Sequence, residues 1–113
     1  MIDLKGMSAF PITPSNRNGK VDAGALRAVV APLLEAGVDS IGLLGSTGTY
    51  PYLTREERRR AVETTVEQVA GRMPVLVGIG ALRTDDAVKL KRCTGRWRRG
   101  RSACARFIYA ADR

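Results

Sequence analysis

Residues 45–48 read Gly-Ser-Thr-Gly, two adjacent hydroxyls between two glycines in a 113-residue chain with no histidine. The glycines let the main chain turn sharply and approach a ligand closely. Two hydroxyls and the amides between them can hold a carboxylate or phosphate without a charged side chain. The plainer alternative is a strand-to-helix turn in which Ser46 and Thr47 only satisfy local main-chain groups. Nucleotide motifs fit poorly. Gly42, Gly45 and Gly48 are spaced G-x-x-G-x-x-G, no P-loop lysine follows, and Gly78-Ile79-Gly80 lacks a third glycine in register.

The elements around this turn alternate short apolar runs with longer amphipathic ones. GMSAF (6–10) reads as a buried strand, followed by a Pro/Asn/Gly loop through Lys20. Residues 22–36 place Leu26, Val29, Val30, Leu33 and Leu34 at helical spacing with Gly37 as a stop, although Pro32 threatens a kink. SIGLL (40–44) is a continuous apolar run of strand length, as in a strand covered on both faces. Thr54 and Glu57 form a capping-box pattern opening a helix that runs through Val62, Val66 and Val69 to Gly71. PVLVGIG (74–80) is a third strand, and Thr84, Asp85 and Asp86 start another helix. The β-α-β-α-β-α order predicts a parallel sheet of βαβ units, either doubly wound or a (β/α)8 barrel. In both architectures the chemistry belongs at the C-terminal ends of the strands, where the turn after Leu44 sits.

The net charge of +8 is unevenly placed. Residues 1–90 carry 11 basic and 10 acidic side chains, whereas residues 91–113 carry eight basic and one acidic. The first part therefore reads as an ordinary near-neutral globular sequence and the second as a basic tail. Cys93, Cys104 and Trp97 all fall in the tail, and two cysteines without a CxxC or histidine partners make neither a zinc site nor a disulfide framework. No apolar run reaches membrane-spanning length and the N-terminus lacks a signal-type apolar region, so a cytoplasmic protein is expected.

The motif GSTGTYPYLTREER resembles the signature of the dihydrodipicolinate synthase and N-acetylneuraminate lyase family, G-[ST]-T-G-E followed by L-[ST]-x-x-E-R. Phe10-Pro11-Ile12-Thr13-Pro14, VDSIGLLGS and PVLVGIG agree with its flanking patterns, so the resemblance covers roughly residues 4–90. It implies a pyruvate-dependent class I aldolase on a (β/α)8 barrel, with the first three βα units present here. It also implies no metal or other cofactor, no nucleic-acid or membrane partner, pyruvate or a related 2-oxo acid as ligand, and homotetramers for intact members. Gly45, Ser46 and Thr47 match the substrate-binding turn that holds the pyruvate carboxylate, and Thr47 matches the hydroxyl of a proton relay with a tyrosine. Thr49 stands where common members have Glu, in a loop that shapes the second substrate's pocket, so that substrate is left open.

The family's Schiff-base lysine lies on the sixth strand and its relay tyrosine on the fifth. A barrel of this kind needs about 250 residues, so three units leave an incomplete barrel with open sheet edges that favour aggregation. Such a lysine must be desolvated to act as a nucleophile. Lys5, Lys20, Lys89 and Lys91 all read instead as solvated charges, none at the end of a strand. The expectation is a substrate half-site without its nucleophile, in a chain that does not turn over.

The tail, KRCTGRWRRGRSACARFIYAADR, has no helical or strand period and is expected to lack regular structure. As a nucleic-acid arm on a small α/β domain it is the alternative function, though its aromatics are not regularly interleaved. A frame-shifted reading explains it better. Trp97 has the single codon TGG, so reading one nucleotide later forces a triplet beginning GG, a glycine. The whole tail then permits N-D-A-Q-A-A-G-A-A-A-V-L-L-A-P-V-S-Y-T-P-L-T, which continues the third helix, stops it and supplies a fourth apolar strand. The chain accordingly divides into 1–90, part of a barrel domain, and 91–113, an out-of-frame or disordered segment.

Overall fold

The computed structural model describes residues 5–80, 85–86, 88–89 and 104–107. Asp22 caps the first helix, α1 (Ala23–Ala36), by accepting a hydrogen bond from the Ala25 amide at 3.0 Å. α1 runs through Pro32 and ends at Gly37, whose amide bonds back to Leu33 and Leu34. Thr54 caps α2 (Arg55–Val69) through the Glu57 amide at 3.3 Å, with Glu56 and Glu57 in its first turn. Carboxylates suit that end of a helix because it presents unpaired N–H groups and the positive pole of the dipole. Residues 85–86 and 88–89 are helical, while Thr84 lies outside the described residues.

Four strands form one parallel sheet in the order β1 (Ser8–Ala9), β2 (Ser40–Leu43), β3 (Val75–Gly78) and β4 (Cys104–Phe107). Each strand is added beside the one before it, the winding of a barrel. A doubly wound sheet would reverse direction at a switch point. In register, Ser8 faces Ser40, Ala9 faces Ile41, and Leu43 faces Val77.

Side chains alternate across a strand, so β2 and β3 each divide into two faces. Ile41, Leu43, Val75 and Val77 join Leu26 and Val30 of α1 and Ala61, Val62 and Val69 of α2 in the apolar core. Burying a Val or Leu side chain of this kind stabilises by about 1.5–3 kcal/mol. The Gln68 side-chain amide donates to the Arg27 carbonyl at 2.9 Å and ties α2 to α1. On the opposite sheet face stand Ser8, Ser40, Gly42, Leu76 and Gly78, with the Ser8 and Ser40 hydroxyls hydrogen-bonded to each other across the strands.

Two expectations need correction. The GMSAF segment is a two-residue, half-buried strand, with Met7 and Phe10 68% and 55% exposed. β1 ends the sheet, and a strand with a neighbour on one edge only has little to bury against. The tail, expected to lack regular structure, contributes β4, whose residues Cys104–Phe107 pair in parallel with Val75–Gly78. The edge of β3 offers unpaired N–H and C=O groups, and main-chain pairing makes few demands on side-chain type.

Candidate functional site

β2 is buried throughout, and at its C-terminal end the chain leaves the sheet through Leu44, which adopts a left-handed conformation (φ 57°). That reversal sends the Gly45-Ser46-Thr47-Gly48 turn over the end of β3. The Leu44 carbonyl lies so close to Gly78 that a Cβ there would collide with it. The turn is closed by main-chain bonds, Gly48 N–H to Gly45 C=O at 2.9 Å and Thr49 N–H to Ser46 C=O at 3.2 Å. Among the described residues neither hydroxyl is used to hold it, and the Ser46 and Thr47 amides donate to no main-chain group. Ser46 and Thr47 are both exposed.

Behind the turn, a short 3-10 helix (Tyr50–Tyr52) is flanked by the Arg58 side chain. The Arg58 guanidinium donates to the Gly80 carbonyl at 2.9 Å and to the Leu53 carbonyl at 3.3 Å, and lies 5.3 Å from the centre of the Tyr50 ring. Burial pushes the Arg58 guanidinium below its ordinary value, and the neighbouring Tyr50 acts in the opposite direction. Arg58 thus joins the segment following the turn to the end of β3.

A cavity of about 270 Å³ opens under the turn, lined by Phe10, Gly42, Leu43, Gly45, Ser46, Thr47, Leu76 and Gly78. The three residues expected to bind substrate are therefore brought to one mouth, at the C-terminal ends of β1, β2 and β3. Among the described residues no charged side chain lines it, so the donors they offer an anion are neutral hydroxyls and amides. Among the described residues no lysine belongs to the lining. Lys20 instead pairs with Glu57 at 4.0 Å and Lys89 with Asp86 at 3.5 Å, both on the surface, while Lys91 lies outside the described residues. Among the described residues no group of three or more acidic, cysteine or histidine side chains could hold a metal ion, and no helix is long and apolar enough to cross a membrane.

Phe10, Gly42, Leu76 and Gly78 were not expected at the site. The strand alternation that places Ile41, Leu43, Val75 and Val77 on the helix side assigns Gly42, Leu76 and Gly78 to the other face, so the signal was available once the register was known.

The sequence pattern of the Dihydrodipicolinate synthetase family matches residues 3–104. The chain belongs to this family. A 4-hydroxy-tetrahydrodipicolinate synthase of Bartonella henselae is 41% identical over 87 residues, 77% of this chain and 30% of the relative. The crystal structure of a dihydrodipicolinate synthase from Agrobacterium tumefaciens superposes with a TM-score of 0.82 at 51% identity, covering 92% of this chain and 34% of that one. YagE, a prophage protein of the dihydrodipicolinic acid synthase family from Escherichia coli, solved in complex with pyruvate, superposes at 0.78 with 25% identity, covering 98% of this chain and 38% of that one. The described strands and helices are thus the opening part of a (β/α)8 barrel. The chain spans about three-tenths of the length of the curated synthases it matches.

Proposed function

We propose that Gly45, Ser46 and Thr47 form the carboxylate seat for pyruvate or a related 2-oxo acid. The reaction of the whole barrel would make or break a C–C bond through a lysine Schiff base. The observation that carries this reading is the pair of exposed hydroxyls and amides, unused among the described residues, at the mouth of a cavity whose described lining is uncharged. The pyruvate complex of YagE supports the same ligand class. Thr47 would also pass a proton to a tyrosine further along the barrel, a role that rests on the family resemblance. Among the described residues no lysine lines the cavity, and on this reading the 113-residue chain binds weakly and does not turn over.

The second part of the proposal concerns residues 91–113, which we read as encoded out of frame behind a genuine barrel segment. Alignments to the curated synthases from Salinibacter ruber and Bartonella henselae cover 75% and 77% of the chain, while the family pattern runs on to residue 104. β4 also overlaps the stretch where the shifted reading puts the apolar strand V-L-L-A-P-V.

Titration of the labelled chain with pyruvate, followed by amide NMR, tests the seat. Saturable shifts are expected at Gly45–Gly48 and are expected to vanish in the Ser46→Ala/Thr47→Val double variant. Shifts that survive the double substitution place the ligand elsewhere. Borohydride added with pyruvate is expected to leave the protein mass unchanged, and a trapped adduct on any lysine overturns the claim of inactivity.

A further inference from the structure

The parallel sheet has two open edges. β1 pairs with β2 alone and β4 with β3 alone, so among the described residues the first and last strands each lack a neighbour on one side. Main-chain groups of successive residues alternate sides along a parallel strand. The Met7 carbonyl accepts from the Ser40 amide at 3.3 Å, so the N–H and C=O groups of Ser8 and Phe10 belong to the open side. Unpaired groups of this kind are a template for another strand. Five large apolar side chains are exposed among the described residues, and three of them, Met7, Phe10 and Ile12, fall within positions 7–12 at this edge. Clustered exposed apolar side chains mark an interaction surface.

The strand that fits there is set by the winding of the sheet. Every described pairing is parallel, and each strand lies beside the one before it. A strand that continues this order past β4 must run parallel to it, and β1 of a second copy meets that condition. A half-turn about the barrel axis keeps all strands parallel and makes the two β4-to-β1 junctions identical, as a closed twofold dimer requires. A parallel α/β sheet closes into a filled barrel at eight strands. Two copies of this four-stranded sheet supply that number.

We propose that the 113-residue chain forms a twofold homodimer in which β4 of each copy pairs in parallel with β1 of the other, closing one eight-stranded barrel from two halves. The open edges disappear, and residues 7–12 become the junction. The cavity under the Gly45–Gly48 turn gains an opposite wall from the partner, with two such turns at one end of the barrel. Neither the carboxylate seat nor the frame in which the gene continues bears on this pairing.

Sedimentation equilibrium of the full chain over a range of concentrations should give a monomer–dimer equilibrium. A monomer at every concentration, or an open-ended aggregate, overturns the proposal, because a sheet that closes on a second copy produces neither. The surfaces used are read from an equal mixture of isotope-labelled and unlabelled wild-type chains. Isotope-filtered nuclear Overhauser spectra should show contacts between residues 7–12 of one copy and 104–107 of the other. Intermolecular contacts confined to other surfaces overturn the proposal. The double variant Met7→Lys/Ile12→Lys places charge at both junctions. It alters side chains that are more than half exposed, so the core of each copy is left intact. Losing even one buried apolar side chain from the junction should raise the dimer Kd at least about tenfold. A Kd unchanged by the double substitution also overturns the pairing of β1 with β4.

Discussion

The Glu57 carboxylate accepts a hydrogen bond from the Val21 main-chain amide at 2.6 Å, across 36 positions of sequence. Glu57 is 8% exposed, and its second oxygen lies 4.0 Å from the Lys20 ammonium. The capping box is therefore half made: Thr54 caps the Glu57 amide, while the Glu57 side chain crosses to the segment leading into α1. Glu57→Ala leaves a buried N–H without a partner, which costs about 1–3 kcal/mol. Glu57→Gln keeps an acceptor and should cost less. Urea unfolding of the two variants checks the order, and equal losses would show that charge rather than hydrogen bonding dominates.

Arg58 holds two carbonyls and one aromatic face at once. Its planar fork suits that arrangement, and the single ammonium of a lysine does not. Desolvation works against the guanidinium here, so its contacts must offset that cost. The sign of the linkage follows: a cation whose folded value is lowered gains stability only as pH rises through that value. That window lies near the arginine range, so Arg58 adds no pH dependence near neutrality. Arg58→Lys should lower stability by about 1–2 kcal/mol, from the loss of charged hydrogen bonds. It should also move the amide signals of Gly45–Tyr52 and Gly80 together. Stability loss with those signals unmoved would show that Arg58 does not position the turn.

What was legible in the sequence was local. Asp22 and Thr54 act as caps where their types and spacing put them, because each needs only an amide three residues away. The runs around Ile41 and Val75 are strands because continuous apolar stretches suit strands covered on both faces. The non-local features were not legible. Barrel and doubly wound sheets share one βαβ pattern, and only the strand order separates them. Whether Glu57 would bond its own helix or Val21 depends on how α1 and α2 pack. Phe10 read as strand interior because GMSAF is apolar, but β1 ends the sheet and leaves the ring at an opening. β4 was missed because its pairing comes from the edge of β3 rather than from any period of its own.

The last prediction concerns the reading frame. Eight basic residues crowd into the 23 positions after residue 90, while the preceding ninety are nearly neutral. A charge run of that kind repels itself and gives little reason for a strand, yet Cys104–Phe107 lies beside β3 as a further barrel strand would. A shifted frame removes the contradiction, since it replaces the arginines with a helix end and an apolar strand at the same distance along the chain. Sequencing the gene from codon 85 to a few hundred bases past the stop should find that frame open, with a lysine at the C-terminal end of a later strand. A chain rebuilt in that frame should then form a borohydride-trapped adduct with pyruvate, which the 113-residue chain should not. If the frame instead closes within a few codons, the arginines belong to the protein, and binding to nucleic acid that weakens steeply with salt becomes the expected behaviour of residues 91–113.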